Sequence, residues 1–394
     1  MPISRTIAAY ETKGSWIRKL FEEGMQMMRD GTGLPVYDLS IGNPELEPPA
    51  EFKRTLRGII EDNAPGQHRY MSNAGYMATR EAVADSLAAD HGLPFKGDNV
   101  VMTVGAGGAV NIAIKAVLDP GEEVICVAPH FVEYRFYIEN HGGVMVVAQS
   151  APGFDLDIGA IAAKINAKTR AVLITNPNNP TGAVYPQATL DELGLLLRRE
   201  SAKRDRPIFL IDDAPYRKLV YDMDKCTSSF NGYENMLMAT SHSKDLGLPG
   251  ERIGFLAVSP RMNGWQKVVG AAVFSNRVLG YVNAPALMQR TVAELQTVTV
   301  DLDWYRRKRD RLCSELKRMG YELVVPGGAF YVFPKAPGGD DVAFCQKLKG
   351  ERVLAVPGTG FGAPGYFRIG YCVADEKIWG ALPAFETVIS AIRG

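Results

Sequence analysis

Short apolar segments alternate with helical segments along the middle of the chain, and this alternation limits the possible folds more than any other feature. The predicted strands are residues 99–104, 123–128, 143–148, 171–176, 207–212 and 236–241, with helices between several of them. Strands that alternate with helices form a mainly parallel sheet with helices packed on both faces. We therefore predict an α/β fold in which ligands bind beyond the carboxyl ends of the strands.

The chain has 394 residues, which is more than one hydrophobic core usually serves, so we predict two domains. One long, continuous helix at roughly 287–319 is expected to link them. The other elements predicted outside the alternating region are an amphipathic helix at 12–30 and short strands at 36–41, 321–325, 330–333 and 367–371. The predicted division is an N-terminal arm with part of the small domain at 1–45, a large domain at 46–290 and a smaller α+β domain at 291–394.

The composition indicates which classes of partner to exclude. Lysine and arginine together number 44, as do aspartate and glutamate, so no overall field attracts nucleic acid or an anionic membrane. The five cysteines are scattered, without a Cys-x-x-Cys pair or a His–Cys cluster at metal-binding spacing, which is typical of a reduced intracellular protein. Neither a signal peptide nor an apolar run of membrane-spanning length is visible. We expect a cytoplasmic protein that has no metal site and binds neither nucleic acid nor membrane.

Residues 241–254 combine hydroxyls, an amine and a guanidinium in a stretch that is broken by glycine and proline. The turn predicted there brings the flanking cations toward one centre. Lys244 can then attack a carbonyl while hydroxyls and Arg252 hold a phosphate. The stretch also satisfies the Ser-x-x-Lys pattern of penicillin-recognising acyl enzymes, but the later motifs of those enzymes are missing. The other alternative is that Lys244 is an exposed lysine in a loop. The remaining motifs argue against this alternative.

A glycine-rich turn follows the strand at 99–104 and consists of Gly105, Ala106 and Gly107. Its backbone N–H groups can bind a phosphate together with the N-terminus of a helix that we predict at 108–118. A dinucleotide-binding fingerprint would need glycine at position 110, where this chain has valine, and no Gly-Lys-Ser/Thr follows. The turn therefore predicts a phosphate site of another kind, with a plain tight turn as the alternative.

Charged side chains stand within apolar strand segments at two places. Asp212 and Asp213 end the strand at 207–212, where a carboxylate is costly without a partner, and a protonated ring nitrogen is a suitable partner. Arg368 lies in an apolar strand of the small domain, and a bidentate carboxylate is the natural partner of its guanidinium. Both patterns predict contacts with a small charged molecule.

Together these motifs resemble those of the class I/II aminotransferases, pyridoxal-phosphate-dependent enzymes of fold type I in the aspartate aminotransferase superfamily. The resemblance runs from about Gly42 to Arg368 with the motifs in family order. It includes the Asn-Pro-x-Asn-Pro-Thr-Gly run at 176–182 and the Asp-x-x-Tyr pattern at 213–216. The resemblance implies a large domain with a mainly parallel, seven-stranded sheet covered by helices, together with a smaller α+β domain.

The resemblance also implies a role for each candidate residue. Lys244 is implied to bind the cofactor aldehyde and to move a proton between the substrate and the cofactor. The other implied cofactor-binding residues are Gly105, Ala106, Gly107, Ser241 and Arg252 at the phosphate, Ser243 beside them, Phe131 stacked on the ring, Asn179 and Tyr216 at the phenolic oxygen, Asp213 (with Asp212 as the rival) at the ring nitrogen, and Tyr70 across a dimer interface. The implied substrate-binding residues are Gly42, Asn179 and Arg368, the last of which clamps the α-carboxylate. His130 is interpreted as a neighbour of the site, and the motif at 326–331 as structural.

The implied activity is ping-pong transfer of an amino group between an L-amino acid and a 2-oxo acid, in a homodimer with shared active sites. Aspartate with 2-oxoglutarate is the first expected pair, and alanine and aromatic amino acids remain open. A pyridoxal-phosphate-dependent carbon–sulfur β-lyase would use the same residues, and release of pyruvate without an amino acceptor would identify it. A non-catalytic cofactor-binding regulatory module is the second alternative; such modules usually carry a fused basic DNA-binding segment, which is not visible here.

Overall fold

The structure, a computed structural model, describes residues 3–12, 23–24, 26–27, 29, 33–62 and 65–393. The α-helices in this part are α1 (Arg5–Thr12), α2 (Ala50–Asp62), α3 (Met77–His91), α4 (Gly105–Val117), α5 (Tyr134–Asn140), α6 (Ile158–Ala162), α7 (Gln187–Ser201), α8 (Ser229–Gly232), α9 (Trp265–Val278), α10 (Ala286–Ala293), α11 (Leu302–Arg318), α12 (Asp341–Gly350) and α13 (Asp375–Arg393). The strands are β1 (Tyr37–Asp38), β2 (Val100–Thr103), β3 (Glu123–Ala128), β4 (Val144–Gln149), β5 (Thr169–Ile174), β6 (Phe209–Asp213), β7 (Met236–Ser241), β8 (Gly254–Val258), β9 (Tyr331–Val332), β10 (Val353–Leu354), β11 (Val356–Pro357) and β12 (Phe367–Gly370).

A seven-stranded sheet with the order β2-β8-β7-β6-β5-β3-β4 forms the centre of the molecule. β8 is antiparallel to both of its neighbours, and the pairings between the remaining adjacent strands are parallel. The predicted α/β fold with a mainly parallel sheet of seven strands is therefore confirmed. The carboxyl ends of β5, β6 and β7 meet at one edge of the sheet, where ligands usually bind in this architecture.

Both faces of this sheet are buried, as the alternation of side chains along β5 and β6 shows. Val172, Ile174 and Leu210 belong to the apolar cluster on one face, whereas Leu173 and Ile211 belong to the cluster on the other. Strands that are covered on both faces have nearly continuous apolar sequences, as these two do. Burial of each such leucine or isoleucine side chain contributes about 1.5–3 kcal/mol to the free energy of folding. The packing on both faces holds the ends of β5 and β6 in place.

A second group of elements packs around an apolar cluster of its own, which includes Phe330, Phe367 and Phe385. β12 lies between β9 and β11 and is antiparallel to both, and the N-terminal strand β1 pairs in parallel with β10. This arrangement places Arg368, in the buried strand β12, beside the carboxyl edge of the large sheet.

The predicted continuous helix at 287–319 is wrong, because α10 and α11 are separate helices with residues 294–301 between them. This segment contains β-branched threonine and valine residues, which favour the helix less than straight side chains do. Val300 donates its backbone N–H to the carbonyl of Asp245 at 2.8 Å instead of continuing a helix. The carboxylate of Asp301 then caps the start of α11.

Two further predictions about short elements are corrected. Residues 321–325 belong to none of the sheets, and Val324 and Val325 are 42% and 41% exposed, because no neighbouring strand covers them. Strand β8 was not predicted, since its sequence follows directly on the glycine-rich stretch at 241–254. The amphipathic helix predicted at 12–30 lies largely outside the described residues.

Candidate active site

A cavity of about 320 Å³ lies at the carboxyl edge of the large sheet. Its lining consists of Ile41, Gly42, Ala106, Gly107, Phe131, Tyr134, Tyr137, Thr175, Asn179, Asp213, Pro215, Tyr216, Ser241, Ser243, Lys244, Pro249, Arg252, Tyr331 and Arg368. All of the predicted site residues except Gly105 and Tyr70 are among them. Segments that are far apart in the sequence therefore converge on one small volume.

Lys244 projects into this cavity from the loop after β7. Its Nζ donates to the carbonyl oxygen of Gly42 at 2.6 Å and lies 5.3 Å from the centre of the Phe330 ring. Burial, which disfavours the charged form, lowers the pKa of Lys244 to about 8. The neutral amine, which a nucleophile or a general base requires, is therefore far more abundant near neutral pH than in an ordinary lysine, although it is still about a tenth of the total at pH 7.

Asp213 ends β6 at the cavity with one of its two carboxylate oxygens satisfied. Oδ2 accepts a hydrogen bond from the hydroxyl of Tyr134 at 2.7 Å, and that hydroxyl also lies 2.6 Å from the Thr175 Oγ1. Oδ1 is buried and has no hydrogen-bond partner among the residues that the structure describes. Burial raises the pKa of Asp213 to about 6. Since an unpaired buried oxygen is costly, the carboxylate is suited to a ligand that brings a proton donor.

Asp212, the rival for this role, points away from the cavity because adjacent residues of a strand face opposite sides of the sheet. Its Oδ1 accepts from the backbone N–H of Asn176 at 3.2 Å, and its Oδ2 accepts from the Ser229 hydroxyl at 2.6 Å. Both oxygens are therefore satisfied within the chain. The geometry favours Asp213 as the residue that meets a ligand.

A corner suited to an anion such as phosphate is formed where α4 begins. The helix starts at Gly105 rather than at 108, so Ala106 and Gly107 lie in its first turn, where N–H groups lack helical partners. The Arg252 guanidinium donates to the carbonyl of Val104, just before the helix, at 3.4 Å. A Cβ at Gly105 would lie only 2.9 Å from the Arg252 Nη2, so glycine permits this approach. A helix N-terminus beside a guanidinium is suited to phosphate.

Two serine hydroxyls stand at the same corner. The Ser241 Oγ donates to the Ser243 Oγ at 3.1 Å, and both side chains line the cavity. Within the described residues, Arg252 forms no ion pair with a carboxylate; its other hydrogen bond goes to the Pro249 carbonyl at 3.1 Å. The guanidinium thus keeps its charge available for an anion.

Arg368 is 1% exposed, and its contacts leave room for a carboxylate. Nη1 donates to the Asn179 Oδ1 at 2.9 Å, and Nη2 donates to the Ser40 carbonyl at 2.5 Å. Nε has no hydrogen-bond partner in the described part of the chain. The guanidinium lies 4.5 Å from the Tyr331 ring centre and 4.9 Å from that of Phe361. Burial without an acidic partner lowers its pKa. An anionic ligand would compensate this buried charge.

Two phenol side chains of the cavity lining contact each other through their hydroxyls. The hydroxyls of Tyr216 and Tyr331 lie 3.0 Å apart, and burial raises the pKa of both, that of Tyr331 to about 12. Both are therefore protonated at neutral pH. A side chain at residue 42 would overlap the Tyr331 hydroxyl, so Gly42 is required for this packing.

The remaining candidates lie at or outside the edge of the cavity. Phe131 lines it and packs edge-to-face on Tyr134 with ring centres 5.6 Å apart. His130 is not part of the lining; its Nδ1 is 3.1 Å from the Phe131 carbonyl oxygen. Gly105 begins α4 and is not part of the lining. Tyr70 is 92% exposed and lies away from the cavity of its own chain.

Sequence reasoning missed four polar residues of the lining, namely Tyr134, Tyr137, Thr175 and Tyr331. Tyr134 follows Phe131 by three residues, and Thr175 directly precedes the Asn-Pro motif, so position beside a motif was a usable signal. Tyr331 ends the glycine-containing motif that was interpreted as structural. Tyr137 has no signal in the sequence that distinguishes it from other tyrosines.

The described part of the chain shows no sign of a metal site or a membrane span. No group of three or more His, Cys, Asp or Glu side chains that could hold a metal ion occurs there. No helix among these residues combines the length and the apolar character needed to cross a bilayer. All five cysteines are free thiols.

Comparison with known proteins matches this chain to a protein family. The model of the aminotransferase class I and II family matches residues 35–384. The aspartate/prephenate aminotransferase of Thermus thermophilus is 30% identical over 375 residues, which cover 93% of this chain and 94% of that protein. The aromatic-amino-acid aminotransferase 2 of Thermococcus litoralis is 30% identical over 394 residues, with 95% of each chain covered.

Solved structures agree with these matches. An amino transferase from Eubacterium rectale superimposes with a TM-score of 0.96 at 39% identity and covers 100% of both chains. Aspartate aminotransferase from Thermus thermophilus with maleate superimposes with a TM-score of 0.87 at 28% identity, covering 98% of this chain and 100% of the other.

Proposed function

Since the chain belongs to the class I and II aminotransferases and, like that family, depends on pyridoxal 5′-phosphate, we propose that it transfers the amino group of L-aspartate to 2-oxoglutarate. One observation carries the choice of carboxylate substrates. The buried guanidinium of Arg368, which has no acidic partner among the described residues, faces the same cavity as Lys244 and Asp213. The names of the relatives support aspartate as the first donor to test.

The residues present fit the cofactor. The unpartnered Oδ1 of Asp213 would accept from the protonated ring nitrogen, and Arg252 with the N-terminus of α4 would bind the phosphate. The hydroxyl of Tyr216 and the amide nitrogen of Asn179 would donate to the phenolic oxygen. When bound, the cofactor supplies an aldehyde that takes up the amino group and a ring that withdraws electrons from the substrate α-carbon.

The chain itself positions the substrate and moves the proton. Arg368 would hold the α-carboxylate with two N–H donors, which fixes the orientation of the α-carbon. The neutral amine of Lys244 would then take the proton from the α-carbon and return it at the acceptor carbon, which is general acid–base catalysis. Asp213, ionised beside the ring nitrogen, would keep a proton there throughout. A second 2-oxo acid completes the transfer by the reverse sequence.

Aromatic amino acids are the second candidate class of donor, because five aromatic side chains contribute to the cavity wall. These are Phe131, Tyr134, Tyr137, Tyr216 and Tyr331. Among the described lining residues, Arg252 and Arg368 supply the guanidinium groups, and the first is proposed for the phosphate. The side-chain carboxylate of aspartate would therefore need a cation from another part of the assembly.

A panel of amino donors tests the proposal. Each amino acid is added to the holoenzyme without an acceptor, and the visible absorbance of the bound cofactor is followed. We expect aspartate to discharge the visible band fastest and 2-oxoglutarate to restore it. A faster reaction with tyrosine or phenylalanine would show that an aromatic amino acid, and not aspartate, is the preferred donor. Release of pyruvate and ammonia from a sulfur-containing amino acid, without any acceptor, would instead identify a β-lyase.

A further inference from the structure

Tyr331 contacts three parts of the site at once. Its hydroxyl lies 3.0 Å from the hydroxyl of Tyr216, its ring lies 4.5 Å from the guanidinium carbon of Arg368, and its hydroxyl occupies the space left by the missing side chain of Gly42. The residue is 2% exposed and begins β9. No other side chain of the described lining has contacts of this kind with both the Tyr216 hydroxyl and the Arg368 guanidinium.

Counting protons decides which phenol donates. Both hydroxyls are protonated at neutral pH, because burial holds the pKa of each above its ordinary value. One proton lies between the two oxygens, and the other belongs to the acceptor of that bond. If Tyr216 donated to Tyr331, it would have no proton left for another acceptor. Tyr216 can donate to a ligand oxygen only when Tyr331 donates to Tyr216.

Donation by Tyr331 also strengthens the hydrogen bond that Tyr216 makes. A hydroxyl that accepts one hydrogen bond becomes a better donor in the next, because the chain of dipoles is polarised. The other ionisable groups that act on Tyr216 are Arg368 and Asp213. Neither of them replaces Tyr331 as a hydrogen-bond donor to the Tyr216 oxygen in the structure.

The ring of Tyr331 has a separate effect on Arg368. Together with Phe361, whose ring centre is 4.9 Å from the guanidinium, it provides the aromatic surroundings of the buried cation. A cation beside an aromatic face is stabilised by the ring quadrupole, more strongly when water is excluded. The ring therefore helps to hold the guanidinium where a substrate carboxylate is proposed to bind.

We propose that Tyr331 is a positioning residue: its hydroxyl donates to Tyr216, so that the Tyr216 proton is directed to the phenolic oxygen of the cofactor, and its ring holds Arg368 in place. This inference rests on the proposed roles of Tyr216 and Arg368. It separates into a hydroxyl function and a ring function, which two substitutions can distinguish.

Tyr331→Phe removes the hydroxyl and keeps the ring. We expect the pH midpoint of the visible absorbance of the bound cofactor to move upward by about a few tenths of a unit, less than in Tyr216→Phe, because a weaker donor stabilises the ionised phenolic oxygen less. KM for amino and oxo acids should stay close to that of the wild type. Tyr331→Leu removes the ring as well, and it should raise KM for every carboxylate substrate by roughly tenfold.

Tyr305→Phe is the matched control, since Tyr305 is fully buried in the same apolar cluster and its hydroxyl has no hydrogen-bond partner within the described ranges. In this variant the visible absorbance of the bound cofactor should have the same pH midpoint as in the wild type. If Tyr216→Phe shifts the midpoint and Tyr331→Phe behaves like Tyr305→Phe, the hydroxyl function is wrong. If Tyr216→Phe itself causes no shift, the proposed role of Tyr216 fails first. Thermal unfolding checks that each variant is folded; should Tyr331→Leu be unfolded, Tyr331→Phe alone still decides the hydroxyl function.

Discussion

At the scale of single residues, three ionisable groups face one cavity, and their hydrogen-bond partners among the described residues are all neutral. Lys244 donates to a backbone carbonyl, Asp213 accepts from a tyrosine, and Arg368 donates to an amide and a carbonyl. Buried charges without counter-charges are costly. A cofactor with a protonated ring nitrogen and a substrate with a carboxylate would relieve these costs, so the site is organised for binding rather than for stability.

The lowered pKa of Lys244 predicts how fast the cofactor attaches to the apoenzyme. Because burial lowers the pKa to about 8, the neutral amine reaches half of its maximum near pH 8 rather than above pH 10. The attachment rate should rise about tenfold per pH unit below that value and level off above it. Stopped-flow absorbance measures the rate, and borohydride reduction followed by mass spectrometry locates the adduct.

Lys244→Ala is the control for this experiment. It should bind the cofactor without a reducible adduct and lose amino transfer by several orders of magnitude. An adduct on another lysine, or a rate that keeps rising through pH 10, would contradict the role proposed for Lys244.

Arg368→Ala should raise KM for amino and oxo acids alike while the cofactor stays bound. Each hydrogen bond from a charged donor is worth about 1.5–3 kcal/mol, so the expected rise is at least tenfold. Arg368→Lys keeps the charge but loses the bidentate geometry, so its KM values should lie between those of the wild type and of the alanine variant. Steady-state kinetics with several substrates measure this. Unchanged KM values in the alanine variant would show that no substrate carboxylate meets this residue.

At the scale of elements, the site depends on where strands end and helices begin. β5, β6 and β7 deliver Thr175, Asp213 and Ser241 to one edge, and α4 points its N-terminus at the same place. Gly105 joins β2 to α4 with a φ of +79°, a conformation that residues with a Cβ rarely adopt. The proposed phosphate corner is therefore a property of one strand–helix junction together with Arg252.

Gly105→Ala tests this junction, with Gly92→Ala as its matched control. Both glycines have positive φ, but a Cβ at Gly105 would meet the Arg252 guanidinium, whereas a Cβ at Gly92 would meet nothing within 4 Å. Each substitution should cost about 1–2 kcal/mol of unfolding free energy. Only Gly105→Ala should also weaken cofactor affinity, by about tenfold if one hydrogen bond from a charged donor is lost. Equal affinities in both variants would argue against the phosphate corner.

At the scale of the whole molecule, the cavity lies between the large sheet and the elements around β12. Arg368 comes from the second group of elements, and Lys244 and Asp213 come from the first. Tyr70, which the resemblance assigns to the phosphate, is 92% exposed and is not part of the cavity lining of its own chain. A two-fold dimer is the simplest assembly in which each chain could supply Tyr70 to the other's cavity.

Complementation between inactive variants tests the shared site. Lys244→Ala and Tyr70→Ala chains, mixed and allowed to exchange subunits, should form hetero-dimers in which one site has both an intact lysine and an intact tyrosine. Each hetero-dimer should regain one of its two sites, so an equimolar mixture with random exchange should recover at most about a quarter of wild-type activity, and dilution to monomers should abolish it. If both variants are inactive and verified subunit exchange restores nothing, Tyr70 does not serve the partner's site.

Much of the fold and of the cavity lining was predictable from local pattern. Apolar strands and intervening helices specify a mainly parallel sheet, because that is the arrangement that buries both faces of such strands. The catalytic motifs follow those strands, so the edge where they meet was also predictable. Lys244, Arg252 and Arg368 could be identified because an amine or guanidinium in an apolar or glycine-rich setting is unusual without a ligand.

What remained depended on contacts between distant parts of the chain. Whether Asp212 or Asp213 faces the cavity depends on the register of β6 between its neighbours, since a shift of one residue exchanges the two sides. The break between α10 and α11 depends on a hydrogen bond from Val300 to Asp245, 55 residues earlier. Tyr331 joins the site only because β9 packs beside Tyr216. Sequence determines local preference, and tertiary packing decides which side chains share a cavity.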